Sequence, residues 1–168
     1  MELESIQVKI LRNAKVTTYP FTDYFKGFHK VDIIKRLFGD ETEDVLKNLK
    51  IEFRGGKRGY MGVSDDDGHL RINAHYLNNG DVIDIYLDII HELVHVKQFM
   101  DGKKLFDGDF RYIERPTEIE AFRYSVKEAR NLGLSEERIC EYLRTEWMKD
   151  DDLAKLAENL GVKYIRSN

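Results

Sequence analysis

The chain has 168 residues, 42% of them hydrophobic and 35% charged, with a formal net charge of −4 and a single cysteine, Cys140. These figures fit one folded domain with its own core and exclude a disordered chain, an internal disulfide and a cysteine-rich zinc finger. With no apolar run near the roughly 20 residues that cross a bilayer, no signal-peptide pattern in residues 1–5 and no basic excess, a soluble cytoplasmic protein without general affinity for nucleic acid is expected.

Short β-like stretches are predicted at residues 6–10 and 16–19. Behind Pro20, Phe25, Phe28, Val31, Ile34, Leu37 and Phe38 recur at helical spacing, which predicts a helix over 21–39 ended by Gly39. A shorter helix over 42–49 and a strand at 50–53 follow, then the basic loop Arg54-Gly55-Gly56-Lys57-Arg58-Gly59. Residues 60–63 and 69–76 flank Asp65-Asp66-Asp67-Gly68 and read as a hairpin. In its second strand Leu70, Ile72, Ala74 and Tyr76 alternate with polar residues, so one face is expected to be buried. The three aspartates read as an acidic turn, because the alternating spacing and the later glutamate of a calcium loop are missing.

Asp81 is placed to cap a helix running to about Met100. Pro116 and Thr117 open another that ends near Gly133. Ser135 caps a third, to about Lys149. The run Asp150-Asp151-Asp152 caps a fourth, stopped by Gly161, and the tail 162–166 is expected to be extended. Helix, then strands, then helices predicts an α+β fold in a single domain, 1–168.

His91-Glu92-Leu93-Val94-His95 is an HExxH motif. Two histidines four apart stand one turn above each other on a helix, so both imidazoles can bind one Zn²⁺. Glu92 lies roughly 100° around the helix from His91, close enough to handle the ion's water without being a ligand. Asp84, Asp88, His91, His95 and Gln98 form a polar stripe at the edge of an apolar arc, facing a groove. Asp84 and Asp88 are either partners for the imidazoles or solvated residues of a first turn.

A catalytic zinc needs a third protein ligand. No histidine follows His95, which leaves the acidic residues of the segment 115–122. Thr117-x-x-Glu120 reads as a capping box, giving Glu120 a local structural role. Glu118 lies at the edge of the face formed by Ile119, Phe122, Val126 and Ala129. Glu118 is therefore the expected ligand and Glu120 the alternative.

HExxH followed some twenty residues later by Glu118-Ile119-Glu120-Ala121 resembles the gluzincin metallopeptidases, and the short chain is most similar to the minimal soluble gluzincins, the minigluzincins. The resemblance covers residues 50–132, with 1–49 and 134–168 as flanking elements. It implies a small zincin-like core: a β-hairpin or sheet packed on the HExxH helix and a glutamate helix, with extra N- and C-terminal helices. It implies a strand that pairs with an extended peptide, a role expected of His69 to Tyr76. It also implies a zymogen-like form with a terminal segment in the cleft, although the flanking helices are expected to complete the core. Many gluzincins carry an acidic residue four after the ligand glutamate; here Phe122 stands there, so the imidazoles must be oriented from elsewhere.

The expected function is that of a zinc-dependent metalloendopeptidase acting on a peptide or protein substrate. His91, His95 and Glu118 bind Zn²⁺, and Glu92 activates the zinc's water and passes its proton to the leaving amine. Tyr112, Tyr124, Arg123 and His75 are candidate donors to the oxyanion. The alternatives are a non-proteolytic regulatory or binding protein that keeps a zinc site, and a DNA- or partner-binding helical module using the loop 54–59.

Overall fold

The computed structural model describes residues 7–12, 18–56 and 58–166, so the readings made on residues 1–6 and 16–17 lie outside the described residues. The fold is α+β. Strand β1 (Lys9–Ile10) pairs antiparallel with β3 (Phe25–Lys26). A second, four-stranded sheet holds β2 (Thr18–Pro20), β4 (Lys50–Arg54), β6 (Leu70–Asn73) and β5 (Met61–Val63), in that spatial order. Its centre is a parallel pair, with Ile51 opposite Leu70 and Phe53 opposite Ile72, while β2 and β5 run antiparallel at the two edges.

The helix expected over 21–39 is broken in two. α1 (Phe21–Tyr24) gives way to β3, and α2 (Asp32–Phe38) starts only after a short 3-10 turn. The break is at Gly27, whose φ is +84° and whose position would bring a Cβ to 2.1 Å from the Gln7 carbonyl oxygen. Helical spacing persists across the break because Phe25, Phe28 and Ile34 are all buried, but the β1–β3 pairing outweighs local propensity. α3 (Thr42–Asn48) then leads into β4.

The hairpin forms with Gly62 opposite Arg71, but its second strand stops at Asn73 rather than Tyr76. Asn73 Oδ1 accepts from the Tyr76 backbone N–H at 2.8 Å and so caps α4 (Ala74–Asn79), which takes residues 74–76 out of the sheet. β6 is paired on both sides, so the strand from His69 to Tyr76 offers no free edge; β5 is the edge beside the cleft.

α5 (Val82–Met100) is capped by Asp81, whose Oδ1 accepts from the N–H groups of Ile83 and Asp84 at 2.9 and 3.0 Å. It is buried on nearly all sides between the sheet and α6 (Pro116–Asn131). α7 (Glu136–Leu143) is capped by Ser135 but ends six residues before Lys149. Ile139, Cys140 and Leu143 are buried, and the chain leaves the helix at Arg144, whose backbone is extended. α8 (Asp150–Leu160) begins at the aspartate run, which makes no side-chain cap, and ends at Gly161 with φ +63°. One cluster of buried residues runs from Val8 to Val162, so the flanking elements share the core of the HExxH helix. Among the described residues no helix is long and apolar enough to cross a membrane.

Candidate metal centre

α5 and α6 pack side by side and bring His91, His95 and Glu118 together, each about 5% exposed. His91 Nε2 lies 3.1 Å from both Glu118 Oε2 and His95 Nε2, and His95 Nε2 lies 3.3 Å from Glu118 Oε2. Four ligands around an ion at about 2.0–2.1 Å stand about 3.3 Å apart when tetrahedral. The three donor atoms thus form one face of such a shell, and this buried group could hold a metal ion. Arg115 Nη1 approaches the other Glu118 oxygen at 3.8 Å. Burial works against ionisation of Glu118, but the two imidazoles override it and hold the carboxyl well below its usual range.

Glu120 is elsewhere, and the capping box does not form. Pro116 takes the first helical position, so Arg115 becomes the cap residue and Thr117 falls inside the helix, where its hydroxyl donates to the Leu105 carbonyl at 3.0 Å. Glu120 instead accepts from Gln98 Nε2 at 2.7 Å and from Lys103 at 2.9 Å.

The two imidazoles are oriented in different ways. Gln98 Nε2 also donates to the Thr117 carbonyl at 3.0 Å. Both of these partners are acceptors, so they claim the amide NH₂ and leave Oε1 facing His95 Nδ1 at 2.7 Å. His95 must then carry its proton on Nδ1, which turns the Nε2 lone pair toward the centre. His91 Nδ1 has no hydrogen-bond partner among the described residues. Its ring packs on that of Phe122, with centroids 4.4 Å apart. Asp84 and Asp88 do not serve the imidazoles: Asp84 pairs with Arg138 at 2.5 Å, and Asp88 accepts from the Tyr76 hydroxyl at 2.5 Å. The polar stripe of α5 is buried at His91, His95 and Gln98, with Gln98 only 1% exposed, while Asp84 and Asp88 are half-buried and line the adjoining cavity.

A cavity of about 360 Å³ opens beside the centre, lined by His91 and Glu92, by Tyr60 and Met61 at the β5 edge, and by Tyr142 and Trp147 around the link between α7 and α8. Glu92 Oε2 is buried without a hydrogen-bond partner among the described residues. Burial pushes the Glu92 carboxyl up to about 8, with the Glu118 and Asp88 carboxylates adding to the effect and His95 opposing it. Of the four oxyanion candidates, Tyr112 alone lines this cavity. Burial, with Glu118, Glu92 and Asp88 nearby, keeps its phenol protonated well beyond the ordinary range. His75 is exposed and bonded to Asn79, Arg123 is exposed, and Tyr124 packs against the core. In the basic loop, Arg54 pairs with Glu52 at 3.2 Å, and the Gly56 and Arg58 carbonyls accept from Asn73.

Sequence reasoning missed Gln98 as a hydrogen-bond partner of His95, and Tyr76 and Tyr142 as cavity walls. Gln98 follows His95 by three, a spacing at which side chains meet on a helix, and that signal was available. No family model, curated protein or solved structure matches this chain.

Proposed function

We propose that this protein is a zinc-dependent metalloendopeptidase. The observation that carries the reading is the unpartnered Glu92 carboxylate oxygen, which lines the same cavity as His91 of the convergent His91, His95 and Glu118 group. Two imidazoles and one carboxylate are a donor set suited to Zn²⁺ with a position left open. When bound, zinc supplies Lewis-acid polarisation of a water and of the peptide carbonyl. Glu92 ionises more readily beside a cation, accepts a proton from the attacking water and returns it to the leaving amine nitrogen. Tyr112 donates its hydroxyl proton as a hydrogen bond to the oxyanion. The outer edge of β5, at Met61–Val63, unpaired among the described residues, pairs with the extended substrate backbone.

The test is metal analysis combined with cleavage of denatured casein. About one zinc per chain is expected, with turnover that falls at least about 100-fold in Glu92→Gln while zinc stays bound. Zinc bound without cleavage would instead support a regulatory or structural zinc protein. Failure to bind zinc at all would overturn the metalloenzyme reading.

A further inference from the structure

Asp84, Asp88 and Glu92 follow one another at intervals of four on α5, so their carboxylates share one face of the helix. All three line the cavity beside the metal centre. Glu141 lines it too, and Arg144 is the one lysine or arginine among its described lining residues. The nearby cations are already committed: Arg138 to Asp84 at 2.5 Å and Arg144 to Asp150 at 2.8 Å. Asp88 accepts from the Tyr76 hydroxyl, has the Tyr142 hydroxyl nearby and meets no cation among the described residues. A second observation is independent of this charge pattern. Tyr142, only 9% exposed and also lining the cavity, turns its hydroxyl toward Asp88 and Ser125, and the buried hydroxyl of Thr145 in the same wall has no hydrogen-bond partner among the described residues. A low-dielectric pocket with unbalanced carboxylates and an unmatched hydroxyl is complementary to a cation that carries N–H donors. Its walls suit an apolar stem and a planar head: Tyr60 meets Tyr76, and Tyr112 meets Trp147, each pair with ring centroids 4.9 Å apart.

We propose that this cavity is a subsite for the side chain of a lysine or arginine beside the bond to be cut, with Asp88 as its anchor. The proposal rests on the peptidase reading above. Asp88 stands one helical turn from Glu92, roughly 6 Å along the axis, so a cation held there leaves its own backbone near the metal centre. Burial, with Asp84 adding to it, pushes the Asp88 carboxyl up to about 7, and a cation alongside offsets that cost.

Two measurements on the zinc-loaded protein test this. The first is binding of n-butylguanidinium against its neutral near-isostere n-butylurea, read by the fluorescence of Trp147, the chain's single tryptophan. The cation is expected to bind at least about tenfold tighter, a preference that Asp88→Asn removes while keeping an acceptor for Tyr76. The second is mass-spectrometric mapping of cleavage sites in denatured casein, where lysine or arginine flanking the cut bond is expected to be enriched about fivefold or more. Equal binding of the two small molecules by the wild-type protein overturns the subsite whether or not the variant folds. Casein cleavage without basic enrichment also overturns it and leaves the peptidase reading standing. Selective guanidinium binding without any cleavage supports the cation site and counts against the peptidase.

Discussion

Replacing Gln98 by methionine removes the amide that orients His95 while nearly conserving side-chain volume. Three hydrogen bonds go with it: 2.7 Å to His95 Nδ1, 3.0 Å to the Thr117 carbonyl and 2.7 Å to Glu120. His95 is then free to adopt the other tautomer or to rotate. Outer hydrogen-bond partners of metal-binding imidazoles are worth about 10–100-fold in affinity, or about 1.4–2.7 kcal/mol. One buried group, the His95 Nδ1–H, loses its partner, at roughly 1–3 kcal/mol in folding stability, whereas the Thr117 carbonyl lies in the first turn of α6, where the helix still supplies a donor. Zinc affinity at pH 7 is read by competition with a fluorescent chelator, and stability by urea unfolding followed by circular dichroism. Gln98→Glu separates the two effects. A glutamate there still accepts from His95 but cannot donate to Thr117 and sits against Glu120, so it is expected to lose stability while keeping zinc affinity within about threefold. The reasoning is refuted if Gln98→Met binds zinc as tightly as wild type, or if Gln98→Glu loses as much affinity as the methionine variant.

The same titration distinguishes the two glutamates: Glu118→Gln is expected to weaken zinc binding by at least about 100-fold, whereas Glu120→Gln stays near wild type and costs under about 1 kcal/mol for the half-exposed contact with Lys103. Asp88 sets a pH dependence of folding in the metal-free protein. Its carboxyl is raised from 3.8 to about 7 in the folded state, so the native state holds the proton more tightly. The stability this contributes is complete below pH 4 and is lost as pH rises through 7. The loss amounts to at most about 4 kcal/mol, and cavity water screens part of it. Asp88→Asn cannot ionise, so its stability relative to wild type should improve from pH 4 to pH 8, as read by urea unfolding; a gap independent of pH would contradict the assignment.

What the sequence determined by itself was local. The cap at Asp81, the helical spacing through α5 and the i,i+4 pair His91 and His95 depend on neighbours within a turn or two, and the same holds for β4 and the hairpin turn before Gly68. Choosing Glu118 over Glu120 needed only the faces of α6, although the supporting argument from a capping box failed because Pro116 displaced the cap. Tertiary structure decided the rest. The break at Gly27 arises from the approach of the Gln7 carbonyl, twenty residues away in the chain. β6 became an inner strand because β4 claimed its other side in parallel, which moved the free edge to β5. Gln98 took up His95, and Phe122 packed against His91, only because α6 lies along α5. Arg138 reaches Asp84 from α7, across 54 residues of chain. Such pairings leave no periodic trace in the chain, because they are set by which surfaces meet when the apolar faces are buried together.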